Sequence, residues 1–457
     1  MKTSKRVLRY AKENLTEVLH TTINPEGPGV VRIHMVPPTI IDDEVGSAVA
    51  IINGQDIVPV GTSWMVLLAE FIKEVNKFSG KEIEEKEYQG IVDATCEKVA
   101  KVYPFVGKKR FKADIERIIM AFKQIAYRES VDEYIEYISI GEYAKYMSAP
   151  HRMDLMISAM TKNGLWHCNQ KCVHCYAAGQ KLSDEKELST QEWKTIIDKC
   201  REARIPMVTF TGGEPTMRED LIELIDHAQW FVTRLNTNGI KLTPEYCKKL
   251  YGASLDSCQI TFYSCDEEIH NKLVGASQYQ NTVSGIKNAL EAGINISINT
   301  PLCTTNKDYV KTLEFLHTLG VTYVTCSGLI TTGNATNTES VDLQLSSEEL
   351  EGILTDAVKY CFANGMEISF TSPGWLENDF FKQWNLSTPN CGACLSNMAV
   401  TPGGNVVPCQ SYLSEDALGS MLDDDWSKIW NSDKCVERRE YSAQMLGKCP
   451  LRINSQE

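Results

Sequence analysis

Long apolar runs are missing from this chain. No stretch approaches the roughly 18 consecutive apolar residues that a membrane-spanning helix needs. The opening MKTSKRVLRYAKENL is basic but lacks the apolar segment of an export signal. An excess of positive charge is missing too: 60 acidic residues face 46 Lys and Arg, a formal charge of −14. That balance argues against nucleic acid or a membrane surface as partner of the chain as a whole. No low-complexity tract or internal repeat interrupts the 457 residues. The composition is globular, with 43% hydrophobic residues, and the length suits about three domains. Sixteen cysteines without an export signal point to a reducing compartment, so a cytoplasmic location is expected.

One further absence is local. Residues 167–176 read HCNQKCVHCY and place Cys168, Cys172 and Cys175 on one short loop, with no fourth cysteine beside them. Soft thiolates hold iron-sulfur clusters, and a [4Fe-4S] cube normally takes four. Three thiolates leave one iron for a ligand that is not protein. Structural zinc usually closes its site with four ligands, so zinc fits this loop less well.

A second segment, Thr209–Pro215, reads TFTGGEP, an apolar run ending in Gly212, Gly213, Glu214 and Pro215. Glycine lets backbone approach a ligand, and a carboxylate accepts from an ammonium. The cysteine loop and this segment together resemble the radical S-adenosylmethionine (radical SAM) superfamily. The resemblance implies that Cys168, Cys172 and Cys175 hold a [4Fe-4S] cluster, whose open iron chelates S-adenosylmethionine. Gly212, Gly213, Glu214 and Pro215 would line the methionyl end, with Glu214 and nearby backbone receiving its ammonium. His174 stands where the family usually has an aromatic near the adenine. One electron from the cluster, delivered by a donor such as flavodoxin or ferredoxin, would cleave the sulfonium to a 5'-deoxyadenosyl radical.

Residues 1–150 form a first region. Val30–Val36 and Ala48–Val60 read as strands, the latter split by the turn dipeptide Asn53-Gly54. Helices follow from Thr62 or Ser63 to near Gly80, over Glu87–Val102, and over Lys112–Ala126. Glu129–Tyr146 reads as a bridging helix or two. In element order this region resembles the winged-helix RiPP recognition element, which implies a precursor peptide as partner, added as a strand to an exposed sheet edge. A DNA-binding winged helix and a plain structural cap are the competing readings.

Residues 151–335 alternate strand and helix patterns from Leu155–Met160 to Val321–Ser327. Short βα units imply a parallel sheet with right-handed crossovers; the resemblance implies an α/β fold, a partial (β/α)6 barrel. Ligands of such barrels sit at the C-terminal strand ends. Asn236, Ser264 and Asn299 fall there and are candidate cofactor contacts, though Ser264 and Asn299 serve equally as strand-end capping residues. Cys265, Cys303 and Cys326 also fall at or just after strand ends, as candidate hydrogen donors to a substrate radical.

Residues 336–457 bring a second cysteine group, Cys391, Cys394 and Cys409, around a hairpin turn at Pro402-Gly403-Gly404-Asn405. This resembles the opening of the SPASM and twitch domains, small cysteine-rich extensions that carry auxiliary iron-sulfur clusters. Only Cys435 and Cys449 remain beyond it, so one auxiliary cluster, a [4Fe-4S] cube, is expected on Cys391, Cys394, Cys409 and Cys449. Cys435 is set aside because it falls in a helix. Three ligands with an open iron, or a zinc ribbon at the same thiolates, are the alternatives.

The expectation is a radical SAM enzyme that abstracts hydrogen from a ribosomally made precursor peptide, ending in epimerisation or in a thioether or carbon cross-link. A radical SAM oxidoreductase of a small molecule and a zinc-stabilised DNA-binding scaffold are the rival functions.

Overall fold

The computed structural model describes residues 4–23, 31–52, 56–78, 80–126, 144, 147–337, 342–414 and 416–452. The chain divides into two compact units, Met1–Ala149 and Pro150–Glu457.

The first unit opens on α1 (Lys5–Asn14) and builds a four-stranded antiparallel sheet in chain order: β1 (Leu19–Ile23), β2 (Val31–Val36), β3 (Ala48–Ile52) and β4 (Asp56–Val60). All five residues of β3 are buried, as suits an interior strand. Helices α2 (Thr62–Val75), α3 (Glu85–Val102) and α4 (Lys108–Ala126) share one apolar core with the sheet, through Met35, Ile52, Ile72, Val99 and Phe122. A capping box between Glu84 and Glu87 opens α3. The Asn53-Gly54 turn and, apart from Ala144, the Glu129–Tyr146 stretch lie outside the described residues.

The second unit is organised by a ten-stranded sheet. Its strands are β5 (Arg152–Ser158), β6 (Met207–Gly212), β7 (Val232–Thr237), β8 (Ser257–Thr261), β9 (Asn295–Pro301), β10 (Tyr323–Ser327), β11 (Glu367–Phe370), β12 (Asn397–Val400), β13 (Asn405–Val407) and β14 (Gly419–Ser420). The order is β11-β10-β9-β8-β7-β6-β5-β12-β13-β14. Every pairing from β11 to β12 is parallel; β13 and β14 return antiparallel. Strands β5 to β10 follow one another across the sheet, the arrangement of a partial barrel, with α5 (Thr190–Glu202), α6 (Leu221–His227), α7 (Pro244–Gly252), α8 (Glu267–Val274), α9 (Tyr279–Glu291) and α10 (Tyr309–Thr318) in the crossovers. Past residue 335, α11 (Ser347–Ala363) leads into β11 on one edge, while β12 joins the other edge beside β5.

The two faces of this sheet differ sharply. Phe210, Leu235, Ile260, Ile298 and Val324 alternate out of one face and are all 0% exposed. The other face is polar: Thr209 lies between Asp154 and Arg234, Gln259 between Asn236 and Ser297, and Asn299 between Thr261 and Thr325. A barrel packed as a core fills this face with branched apolar side chains. Here it is built to hold something polar.

Candidate active site

The cysteine loop is clamped from two sides by backbone. Lys171 N donates to Val274 O at 2.9 Å and Val173 N to Leu273 O at 3.0 Å, while Asn334 N donates to Cys175 O at 2.9 Å. Gly275 ends α8 with φ +63°, and a Cβ there would meet Lys171 O at 2.4 Å, so only glycine admits this contact. From the strand-end side, Asn238 Nδ2 donates to Asn169 Oδ1 at 2.6 Å. The three thiols sense one another. Burial, then the charge of Glu214, pushes Cys168 up to about 12, with a smaller push from Cys175. Burial also raises Cys172, followed by its neighbours Cys175 and Cys168. Among the described residues the side chains are not drawn into a closed ligand cage.

Gly212 owes its identity to backbone packing. At φ +136° its absent Cβ would lie 2.3 Å from Ser158 O, and the next residue, Gly213, donates its N–H to that oxygen at 2.7 Å. The glycines thus fasten β6 to the end of β5, the strand that feeds the cysteine loop. Glu214 is 1% exposed and already engaged. Its Oε1 accepts from Thr216 N (3.1 Å), Thr216 Oγ1 (2.5 Å) and Thr237 Oγ1 (2.6 Å), and its Oε2 accepts from Asn238 N (2.9 Å). Burial raises its pKa even against these donors. Pro215 starts the short 3₁₀ turn Pro215–Met217, where a missing N–H costs nothing.

Of the other candidate contacts, Asn236 carries a buried Oδ1 without a hydrogen-bond partner, and so, two strands away at the end of β5, does Ser158 at its Oγ. Asn299 Oδ1 accepts from Thr325 Oγ1 at 3.0 Å. Ser264 Oγ accepts from Asp266 N at 3.1 Å, the capping role that a strand-end serine often has. His174 is 6% exposed, with Nε2 3.1 Å from Tyr263 Oη and Nδ1 unpartnered. Burial lowers its pKa to about 4, so the ring is neutral near pH 7. Tyr263 also interacts with the Cys172 thiol. Sequence reasoning missed Tyr263 and the Asn238–Asn169 bond, both formed between segments far apart in the chain.

The three hydrogen-donor candidates fall in different surroundings. Cys326 is fully buried beside Tyr309 and Cys361, residues of α10 and α11, so it faces the helical layer and not the polar interior. Cys265 donates its N–H to Thr312 and accepts from Tyr279 Oη through its carbonyl, both on outer helices. Cys303 is fully buried in an apolar cluster with Tyr263 and Leu273, against which Cys172 packs.

The second cysteine group includes one residue more than expected. Cys391, Cys409 and Cys449 interact with one another. Cys394, 0% exposed in a left-handed turn at φ 56°, pairs instead with Cys435 on α12 (Asp433–Ala443). Arg439 Nη1, one turn further on that helix, lies 3.5 Å from Cys435 Sγ. Cys394, one of the four expected ligands, interacts with Cys409 as well as with Cys435, and helical placement did not remove Cys435 from the cysteine group. Cys409 and Cys449 line a cavity of about 100 Å³ with Leu329, Thr371, Trp375 and Arg452. Glu185 ties the hairpin to the barrel: its carboxylate accepts from Thr401 Oγ1 at 2.5 Å, Gly403 N at 3.2 Å and Asn405 Nδ2 at 2.7 Å.

Three partly exposed thiols on one loop, beside unpartnered oxygens at two strand ends, fit a thiolate-held cluster with a polar ligand next to it. The family model described as the Radical SAM superfamily matches residues 167–316, and that of SPASM, an iron-sulfur cluster-binding domain, matches residues 391–450. The chain is a radical SAM enzyme with a SPASM domain, and these domains imply S-adenosylmethionine and iron-sulfur clusters as its cofactors. The zinc-stabilised scaffold is thereby overturned.

Among curated relatives, an AdoMet-dependent heme synthase of Oleidesulfovibrio alaskensis is 29% identical over 300 residues, 62% of this chain and 76% of that protein. Mycofactocin maturase MftC of Mycolicibacterium smegmatis is 35% identical over 128 residues, 28% of this chain and 32% of its own length. The crystal structure of Streptococcus suis SuiB bound to precursor peptide SuiA shares the fold with a TM-score of 0.60 at 12% identity, over 90% of this chain and 94% of that one. Among the described residues no helix is long and apolar enough to cross a membrane.

Proposed function

We propose that this enzyme modifies a ribosomally made precursor peptide, which it holds by the N-terminal unit. The observation that carries the reading is the open edge of the antiparallel sheet. Among the described residues strand β1 pairs with a strand on one side only and contains no proline; His20 O on it accepts from Asn76 Nδ2 at 2.9 Å, and the rest of that edge suits an added strand. The opposite edge strand, β4, includes Pro59 and lacks one donor. The unit is read as winged-helix-like, followed by a barrel over residues 151–335 and an auxiliary-cluster region over 336–457.

Cys168, Cys172 and Cys175 are assigned the first cluster, and Asn236 Oδ1, Ser158 Oγ and the Gly212–Gly213 backbone the methionyl end of S-adenosylmethionine. Glu214 is assigned the shape of the Asn238 loop, since four donors already occupy its carboxylate. His174 Nδ1, neutral and unpartnered, is available to accept from the adenine amine. Bound there, cluster and S-adenosylmethionine supply a radical that takes one hydrogen atom from the substrate.

The helix-facing Cys326 is poorly placed to return a hydrogen atom, which leaves Cys303, in the cluster against which Cys172 packs, as the thiol through which epimerisation would run. We assign Cys391, Cys409 and Cys449 to an auxiliary cluster, which would supply an electron acceptor, and favour an oxidative outcome, in which the substrate radical gives up one electron to that acceptor and a proton to solvent and closes a bond. A small-molecule substrate is the second reading, favoured by the heme synthase relatives. Titrating the full chain with the product of a neighbouring short open reading frame tests the proposal. Peptide binding followed by a loss of two hydrogens supports it; no binding overturns it, and a product deuterated from heavy water without loss of hydrogen overturns the oxidative outcome.

A further inference from the structure

The polar face of the barrel sheet contains more positive than negative charge. Arg152 pairs with Asp154, Nη2 donating to Oδ2 at 3.2 Å, and Asp154 is 1% exposed. Asp154 lies across Thr209 from Arg234, the third residue of β7. Among the described residues Arg234 has no carboxylate partner. The one hydrogen bond its guanidinium makes is a long one, Nη2 to Ser297 Oγ at 3.4 Å, and its buried Nε has no partner at all. Two guanidiniums therefore share one carboxylate. Of the charges acting on Arg234, that of Arg152 has the largest effect, and it repels.

A partly buried guanidinium without a hydrogen-bonded counter-ion is unfavourable, because no paired charge offsets its loss of hydration. Asp154 relieves it in part without a hydrogen bond between the two, and the same face includes Gln259 and Thr325, which hydrogen-bond each other at 3.2 Å, and Thr325 bonds Asn299 in turn. Arg234 stands two residues before Asn236, about 7 Å deeper along the strand. It lies one layer beneath the strand-end oxygens assigned to S-adenosylmethionine. The free Nε and the weakly held Nη2 form one edge of a planar fork, the edge that receives a carboxylate through two parallel hydrogen bonds.

We propose that Arg234 is the anchor of a carboxylate-binding subsite in the floor of the barrel, filled by a carboxylate of the substrate. The proposal does not depend on whether that substrate is a peptide. An acidic peptide side chain and a carboxylated macrocycle offer the same group, and the test separates them.

Anaerobic holoenzyme saturated with S-adenosylmethionine is titrated calorimetrically with three probes: N-acetyl-glutamate α-amide, its neutral counterpart N-acetyl-glutamine α-amide, and iron-coproporphyrin III. At least one carboxylate probe should bind tenfold or more tightly than the neutral amide. Arg234→Met should remove that preference while leaving affinity for S-adenosylmethionine within twofold, and Arg234→Lys should retain part of it. Preference for the glutamate amide assigns the subsite to a peptide; preference for the porphyrin assigns it to a small molecule. Equal binding of the acid and the amide, no binding of either carboxylate, or undiminished binding by Arg234→Met overturns the proposal. If Arg234→Met does not fold, the wild-type comparison of acid and amide and the Lys variant still decide.

Discussion

Replacing Glu214 by Gln separates two jobs for this carboxylate. As scaffold, it accepts four hydrogen bonds from the 216 and 237–238 segments and has almost no exposure of its own. The amide oxygen of Gln can keep the three donors now on Oε1. The amide nitrogen must then face Asn238 N, donor against donor. A buried donor left unsatisfied costs about 1–3 kcal/mol, partly offset because burial disfavours the charge that Gln removes. We expect Glu214→Gln to destabilise the metal-free protein by about 1–2 kcal/mol, and Glu214→Ala by more, since Thr216 N and Asn238 N then both lose their acceptor. The assay is urea unfolding of anaerobic, metal-free protein without S-adenosylmethionine, where a ligand contact contributes nothing. Unchanged stability combined with a tenfold weaker affinity for S-adenosylmethionine would refute the scaffold assignment and return the carboxylate to the ligand.

The auxiliary assignment predicts iron content. Alanine at Cys391, Cys409 or Cys449 should remove about four iron atoms per chain, whereas Cys394→Ala and Cys435→Ala should keep them; loss of iron in Cys394→Ala alone would restore it as ligand. A pH effect follows from His270, 0% exposed with its Nδ1 accepting from Tyr263 N at 3.4 Å. Burial lowers its pKa to about 4. Its unfolded form binds a proton near pH 6.5, the folded form only near 4, so stability is intact above 6.5 and is lost as pH falls towards 4, by about 3 kcal/mol in all. Between pH 7 and pH 5 the stability advantage of the metal-free wild type over His270→Gln should shrink by about 2 kcal/mol; a constant gap contradicts the buried neutral ring.

Much of the barrel was legible because its signals are local. The βα alternation, the cysteine spacing and the Gly-Gly-Glu-Pro turn each occupy one short segment. The failures came from direction. Strand parity at Thr325-Cys326-Ser327, two polar residues flanking an apolar position, already marks Cys326 as facing the helices. Proximity to a strand end hid it. Cys435 was discarded for being helical, yet a helix presents a side chain to a neighbour as readily as a loop does. The role of Gly212 was legible in kind only: close approach was expected, but the approaching group is Ser158 O and not a ligand. Tyr263, Asn169 and Asn238 meet only after the sheet closes, and no spacing in the sequence announces such a contact.

The central claim is that three thiolates of one loop support reductive cleavage of S-adenosylmethionine. Its most direct test is the yield of 5'-deoxyadenosine from anaerobically reconstituted, dithionite-reduced protein, beside single alanine variants of Cys168, Cys172 and Cys175. The account predicts 5'-deoxyadenosine from the wild type and only background from each variant. Undiminished yield from any of the three variants, or none from a wild type loaded with iron and sulfide, would contradict it.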